Sequence, residues 1–405
     1  MRVMLVTNSY WPESTPPQRR WTAFIKVFRE SGWDVDVVAP HAPGDELNRG
    51  NRKVPSTAWI WNEHGPSGEV VHRLPRLLVF GSRTGRLTGQ CVTAALSVPR
   101  ALLVAQPDVV VVTIPSLPHI VAGWLIARLR RRPLVVDMRD AWPDLAHDSK
   151  VADSRVTVIL DKVMTRIQRN AQLVVTVTNG FRRQLIARGV RTAVTVHNGI
   201  TAERLPTVAP RGTHRGPLRV LYMGNHGESQ GLDVVVRAAA LSGPGVEVRF
   251  VGSGTLRRHL MELSAALDAG IDFWDVVQGE SISEHYEWAD TCVVSLRSDW
   301  PSFNWTVPSK MYELLATGRH VTALVRGEAA TIIDATDCGD VVEAEPMTVA
   351  RYWRDLGEHR EQLAKNTNGR EWVVEHANMH TLAEQYMEHL AHVTRSPNSA
   401  RARWS

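Results

Sequence analysis

Strand-length apolar runs alternate with helix-length stretches along most of the chain, and the alternation stops once and then restarts. RVMLVT (2–7) is a continuous apolar run. A helical stretch follows over 19–31, closed by Gly32, and DVDVVAP is the next strand. DVVVVTIPS (108–116), a helix around 118–130, PLVVDMRD (133–140) and LVVTVTN (173–179) continue the series. Apolar strands joined through helices describe a parallel sheet buried on both faces. Residues 201–217, TAERLPTVAPRGTHRGP, are rich in Pro, Gly and Arg, have no apolar period, and read as a linker. Beyond it LRVLYMG, VEVRFVGSG, FWDVVQG, TCVVSL and HVTALV are strands again, with helices LDVVVRAAAL and LRRHLMELSAAL among them.

The expected fold class is therefore α/β: two doubly wound, Rossmann-like domains facing across a cleft. A chain of 405 residues is long enough for two cores. The expected layout is a first domain over 1–200, the linker 201–217, a second domain over 218–375, a closing helix over 376–392 that packs back on the first domain, and a disordered basic tail over 393–405.

A net charge of +5 suits an anionic partner such as a nucleotide or a lipid surface. The arginines are scattered, with no basic stripe and no aromatic stacking platform, which argues against nucleic acid. The three cysteines show no CxxC spacing, so neither a disulfide framework nor a structural zinc site is expected, and a reducing cytoplasm is. The chain opens on a strand rather than a signal peptide, and no apolar run approaches membrane-spanning length. Segment 81–105 mixes Arg with apolar residues; it fits a helix packed on the sheet, with peripheral contact at the inner face of a membrane as the alternative.

Ligands of open parallel sheets bind beyond the carboxyl ends of the strands, so the strand-end loops hold the candidate site. NHGESQG (225–231), with Gly224, Gly227 and Gly231, leaves backbone N–H groups bare beside a helix start, where they can cradle phosphate. VGSGT, with Gly252 and Gly254, has the same form, and ordinary strand-end turns use the same glycines. In VPSKMYELLATG (307–318), Pro308 suits the approach to a helix and Ser309 can cap it. The first-turn N–H groups favour an anion, Lys310 adds a compact positive charge, and Glu313 can accept from the two hydroxyls of a ribose. Only six of the 47 basic residues are lysines, which makes Lys310 more informative than another arginine. The plainer alternative is a capped helix carrying a Lys310–Glu313 surface ion pair. In the first half, Asp137, Arg139, Asp140 and Asp144 crowd the end of one strand, as a reaction site or as helix caps. The long loop YWPESTPPQRRW (10–21) offers Glu13, Arg19 and Arg20 to an acceptor.

Over nearly its whole length the sequence resembles the retaining glycosyltransferases of the two-Rossmann (GT-B) architecture, family four. The resemblance is carried by MRVMLVTNSYWPES, PLVVDMRDAWPD, VTNGFRRQLIARGV with VHNGI, LRVLYMGNHGESQGLDVVVRAA, VRFVGSGTLRRHL and VPSKMYELLATGRHVTALV. Within the family it looks most like the aminosugar-transferring branch of bacterial surface-polysaccharide assembly. The resemblance implies a nucleotide-sugar donor in the second domain, an acceptor on the first, and retention of anomeric configuration with no bound metal and no cofactor beyond the UDP-sugar co-substrate. Glu313 matches the second of the family's paired glutamates, which holds the ribose. Pro308, Ser309 and Lys310 lie in the loop that meets the diphosphate and sugar, and Asp140 falls where many members have a histidine. Lys310 and Asp140 are thus the candidate catalytic residues.

Three positions depart from the family pattern. Trp305 replaces the first glutamate, leaving the donor sugar to Asn304 or to backbone around Thr306. Asn225 and Gln230 stand where many members carry an Arg and a Lys for the diphosphate. Thr15, Pro16 and Pro17 replace the usual glycine pair of the first loop. The expected activity is transfer of a sugar, an N-acetylhexosamine, from UDP to a hydroxyl of a lipid-linked saccharide or small molecule. The alternatives are a UDP-sugar 2-epimerase on the same scaffold and a non-catalytic binder of nucleotide or membrane.

Overall fold

The computed structural model describes all residues except 14–15, 43–46, 50–51, 55–60, 77–82, 115, 140–154, 202–207, 209–215, 280, 365–367 and 396–405. The described chain divides into two compact units, Met1–Asn198 with Met379–Ser405, and Gly199–Asn378.

The first unit runs β1 (Arg2–Val6), α1 (Pro16–Glu30), β2 (Asp34–Pro40), β3 (Leu47–Arg49), β4 (Arg52–Val54), β5 (Trp61–His64), β6 (Val70–Leu74), α2 (Arg83–Leu102), β7 (Val109–Ile114), α3 (Leu117–Arg130), β8 (Leu134–Met138), α4 (Arg155–Asn170), β9 (Leu173–Thr176), α5 (Asn179–Ala187) and β10 (Ala193–Thr195). Eight strands form one sheet in the order β10-β9-β8-β7-β1-β2-β6-β5; β3 and β4 make a separate hairpin. All pairs in the large sheet are parallel except β5 with β6. The strand order reverses between β1 and β7, which defines the switch point of a doubly wound sheet.

The second unit runs β11 (Leu218–Met223), α6 (Asp233–Ser242), β12 (Val246–Val251), α7 (Arg257–Ala266), β13 (Asp272–Trp274), α8 (Ser281–Trp288), β14 (Thr291–Ser295), α9 (Ser309–Thr317), β15 (His320–Leu324), α10 (Gly327–Thr336), β16 (Gly339–Val341), α11 (Pro346–Glu358) and α12 (Gly369–His376). Its six strands are all parallel, in the order β13-β12-β11-β14-β15-β16, with the reversal between β11 and β14. The last helix, α13 (Met379–Arg395), belongs to the first unit. Its Tyr386 is buried against Trp21, Phe24 and Phe28 of α1, with ring centroids 5.4, 5.5 and 6.3 Å away.

The apolar periods explain most of these elements. Every residue of β7, β8, β14 and β15 is buried, as strands sandwiched between helix layers must be. The helix of segment 81–105, α2, buries Thr93, Ala94, Ser97 and Ala101 within the protein. The structure differs from the sequence reading in three places. α1 begins at Pro16 rather than 19, because prolines in a first turn lose no needed N–H bond. β6 is a full central strand whose run is interrupted by His72 and Arg73, and polar partners compensate for that interruption. His72 bonds Asp36 at 2.8 Å and Asn62 at 3.0 Å, and Arg73 bonds Glu63 and the Pro40 carbonyl. β13 is only three residues long, and Val276 beyond it is 59% exposed. The basic tail and most of the linker lie outside the described residues; within the linker, Val208 is buried and its N–H bonds the Thr317 carbonyl at 3.1 Å.

Candidate functional site

The loops that leave β11, β12 and β14, together with the start of α9, meet at the carboxyl edge of the second sheet, at its switch point. The β11 and β12 loops approach closely enough to require glycine. Gly252 (φ +139°) and Gly254 (φ +158°) each leave space that a Cβ would take from backbone, Gly224 in one case and His226 in the other. Backbone bonds His226 N–H to Ser253 O (2.7 Å) and Leu256 N–H to His226 O (2.9 Å) fix the pair of loops.

The β11 and β14 loops are also stitched together. Ser295 Oγ donates to Gln230 O at 2.6 Å, and Arg297 N–H to Ser229 O at 3.0 Å. Asn225 and Gln230 bond each other at 3.3 Å. Gln230 Oε1 also accepts from the Gly227 N–H at 3.2 Å. Two neutral side chains thus lace the loop to itself, and the Gly227 N–H is engaged within it.

After β14 the chain makes a 3-10 turn over Pro301–Trp305, held by Thr306 Oγ1 to Ser302 O at 3.0 Å. Asn304 is exposed; Trp305 and Thr306 are half-buried. Pro308 then occupies the N-cap position in an extended conformation (φ −61°, ψ 132°), without a side-chain cap bond. The capping role expected of Ser309 is corrected here. Ser309 is already the first helical residue and is exposed, so its hydroxyl lies past the position from which a cap bonds the following N–H groups. The start of α9 is therefore an uncapped helix N-terminus, with the positive end of its dipole at the sheet's carboxyl edge.

Lys310 and Glu313 stand on the first turns of this helix with Lys310 Nζ 2.5 Å from Glu313 Oε2. The ion pair offered as the plainer alternative does exist. Beneath it the Cys292 thiol is pushed up to about 12 by burial, which leaves it an inert core group. His226, inside the β11 loop, is buried between Tyr222, Phe250 and Phe273 at ring distances of 5.8, 5.7 and 6.4 Å. Burial, then the Arg257 charge, holds its imidazole down at about 4, and neither ring nitrogen has a hydrogen-bond partner.

The first unit arranges its candidate residues differently from the sequence reading. Arg20 does not present itself to an acceptor: it is 1% exposed and donates to the carbonyls of Val196 (3.0 Å) and His197, with Asp137 at 4.0 Å. It lies on the stripe of α1 that carries Phe24 and Phe28, which buries it. Arg19, one position away, is exposed. Glu13 is tied to Ser9 Oγ and Arg76, both at 2.6 Å, and so joins the loops after β1 and β6. Asp137 is fully buried within β8 and accepts from Thr113 Oγ1 at 3.0 Å, which places it inside the sheet rather than in an open site. Asp140 and Asp144 lie outside the described residues. Among the described residues no group of acids, histidines and cysteines could hold a metal, and no helix is long and apolar enough to cross a membrane.

The sequence reading missed Ser295 and Arg297, which anchor the loops, and the buried His226. Ser295 and Arg297 follow directly on an apolar run, the position of a strand-end residue, and that signal was available.

Residues 17–199 match the model of the glycosyl transferase 4-like domain, and residues 217–359 that of glycosyl transferases group 1. No curated protein matches the sequence. Among solved structures, sucrose-phosphate synthase from Thermosynechococcus elongatus is similar with a TM-score of 0.74 at 17% identity, covering 97% of this chain and 98% of that one. The Anabaena protein HepE in complex with UDP and glucose follows at 0.66 and 16%, covering 96% and 99%. An E. coli trehalose-6-phosphate structure bound with UDP-2-fluoro glucose gives 0.68 and 11%, covering 98% and 99%. At these identities the structural likeness is one of fold.

Proposed function

The chain belongs to the GT-B glycosyltransferases, with a 4-like first domain and a group 1 second domain, and on that premise we propose that the N-terminus of α9 seats the diphosphate of a UDP-sugar. The observation that carries the reading is the uncapped first turn of α9 at the switch point, with Lys310 and Glu313 side by side upon it. Helix N–H groups and Lys310 supply positive potential for phosphate oxygens. Glu313 supplies two carboxylate oxygens for the ribose diol. The UDP and UDP-sugar analogue held by the Anabaena and E. coli neighbours support a uridine nucleotide.

The proposed reaction moves an N-acetylhexosamine from UDP to an acceptor hydroxyl with retention. The bond from the anomeric carbon to the phosphate oxygen breaks, and the bond to the acceptor oxygen forms on the same face. The acceptor proton passes to the departing diphosphate oxygen, so charge balances without a protein nucleophile. Negative charge grows on that diphosphate as the bond stretches, and preorganised donors aimed at developing charge are the largest catalytic contribution available to such a site. With Asn225 and Gln230 neutral and bonded to each other, positive charge for the diphosphate is assigned in this reading to Lys310. Asp140 orients the acceptor or sugar in this reading, and Asn304, Trp305 and Thr306 line the donor sugar. The acceptor is a lipid-linked saccharide or a small molecule in bacterial glycan assembly.

A thermal-shift panel of nucleoside diphosphates and sugar nucleotides tests the proposal, because a ligand that binds only the folded chain raises its melting temperature. UDP and one UDP-N-acetylhexosamine should shift it most. A panel in which no uridine nucleotide shifts the melt overturns the reading.

A further inference from the structure

A cavity of about 290 Å³ lies at the carboxyl ends of β14, β15 and β16, against the loop that runs from β14 into α9. That volume stands at the lower end of small-molecule sites, so it admits one ring rather than a whole nucleotide. Its floor is apolar and includes Trp300 and Phe303, both buried, with ring centroids 5.1 Å apart. Its rim is polar, and there Asn304, Arg326 and Glu343 are exposed. Arg326 donates to the Ser298 carbonyl at 3.4 Å, and among the described residues neither Arg326 nor Glu343 forms an ion pair. The walls are held in place. A Cβ on Gly327 (φ +60°) would meet the Asn304 backbone, so the end of β15 presses directly on the 3-10 turn. Arg297 joins the cavity to the candidate site. It lines the cavity, its N–H bonds Ser229 O of the β11 loop at 3.0 Å, and its guanidinium is tied to Asp299 at 2.6 and 2.8 Å.

We propose that this cavity seats the sugar ring of the UDP-sugar, with Asn304, Arg326 and Glu343 reading its polar substituents. The inference rests on the reading that places the nucleotide at the start of α9. An apolar floor with a few polar groups at the rim suits a pyranose, which carries C–H groups on one face and hydroxyls around its edge. Arg326 supplies a fork of donors, Glu343 a carboxylate that only accepts, and Asn304 an amide that does both. Hydroxyl and acetamido groups use all three kinds of partner. A phosphate is a poorer occupant, because Glu343 would repel it at close range.

The test is calorimetry with UDP, UDP-N-acetylglucosamine, UDP-N-acetylgalactosamine and UDP-glucose on the wild type, Glu343→Gln and Arg326→Gln, with melting curves of each. Both positions are exposed, so the variants should melt with the wild type. Each should bind UDP as the wild type does. Each should bind the sugar nucleotide that the wild type holds best about tenfold more weakly, the loss of one hydrogen bond to a charged group. If the wild type binds no sugar nucleotide, the donor reading itself fails and the role of the cavity falls with it. If the wild type binds UDP and a sugar nucleotide and both variants bind them equally well, the cavity is not the sugar site, while the nucleotide reading stands. The assignment is overturned equally if the variants weaken UDP and the sugar nucleotide by the same factor, since the rim then acts on the nucleotide and not on the ring.

Discussion

Lys310 Nζ lies 2.5 Å from Glu313 Oε2, three residues along one helix, and both side chains are a little over a quarter exposed. A pair of this kind contributes only tenths of a kcal/mol, roughly 0.2–1. It therefore holds the two groups in readiness at little cost. An arriving diphosphate, reinforced by the helix N-terminus, offers Lys310 more negative charge than one carboxylate does. On the proposed reading, the ion pair and the binding site are two states of the same residues.

Lys310→Ala should lower kcat by about 10²- to 10³-fold, the usual loss when one preorganised donor to the transition state is removed. Because the pair it breaks is partly solvated, stability should change by no more than about 0.5 kcal/mol. Steady-state kinetics beside a melting curve reads both quantities. A variant that turns over at the wild-type rate would mean that the diphosphate sits elsewhere.

The parallel sheets were legible because burial on both faces writes itself as unbroken apolar runs, as in VVVVTI and HVTAL. β6 was not legible: His72 and Arg73 break its run, and their partners Asp36, Asn62 and Glu63 come from two neighbouring strands. The start of α9 was legible because Pro, Lys and Glu stand at fixed offsets from an apolar helix. The contrast between Arg19 and Arg20 was readable in principle, since Arg20, Phe24 and Phe28 share one stripe at a spacing of four. What hid it was the assumption that a guanidinium seeks water.

Arg20→Met should destabilise the first unit by about 3–5 kcal/mol, because it strands the buried Asp137 carboxylate and frees the carbonyls of Val196 and His197. Arg19→Ala, at an exposed position, should be neutral in the same denaturant titration. Equal stability of the two variants would refute the burial argument and return Arg20 to the candidates for acceptor binding.

Gly254→Ala should weaken UDP binding and lower the melting temperature together. The added Cβ collides with the His226 backbone, so the β11 and β12 loops must part, at a cost of about 1–3 kcal/mol. Gly243→Ala is the control: it too has positive φ (+73°), but nothing lies within 4 Å of its Cβ. Calorimetry with UDP should show a loss of affinity for Gly254→Ala only. If both variants bind alike, the close approach of the two loops is not what shapes the site.

Acidification should destabilise the chain through its buried histidines. His119 and His226 are both held at about 4, by burial in each case and by Arg257 second at His226. In the unfolded chain each titrates near 6.5. Between those values the unfolded state binds more protons than the folded one, so stability falls as pH drops from 6.5 toward 4 and is fully present above 6.5. At 1.36 kcal/mol per unit, each histidine can withdraw on the order of 3 kcal/mol across that window. His226→Phe removes one of these contributions and keeps an aromatic ring among Tyr222, Phe250 and Phe273. Neither nitrogen of His226 has a partner to lose, so the variant should match or exceed the wild type at pH 7.5. At pH 4.5 its advantage should widen by a large share of that amount. Melting curves at the two pH values decide the matter: parallel losses in wild type and variant would show that His226 is not a source of the acid sensitivity.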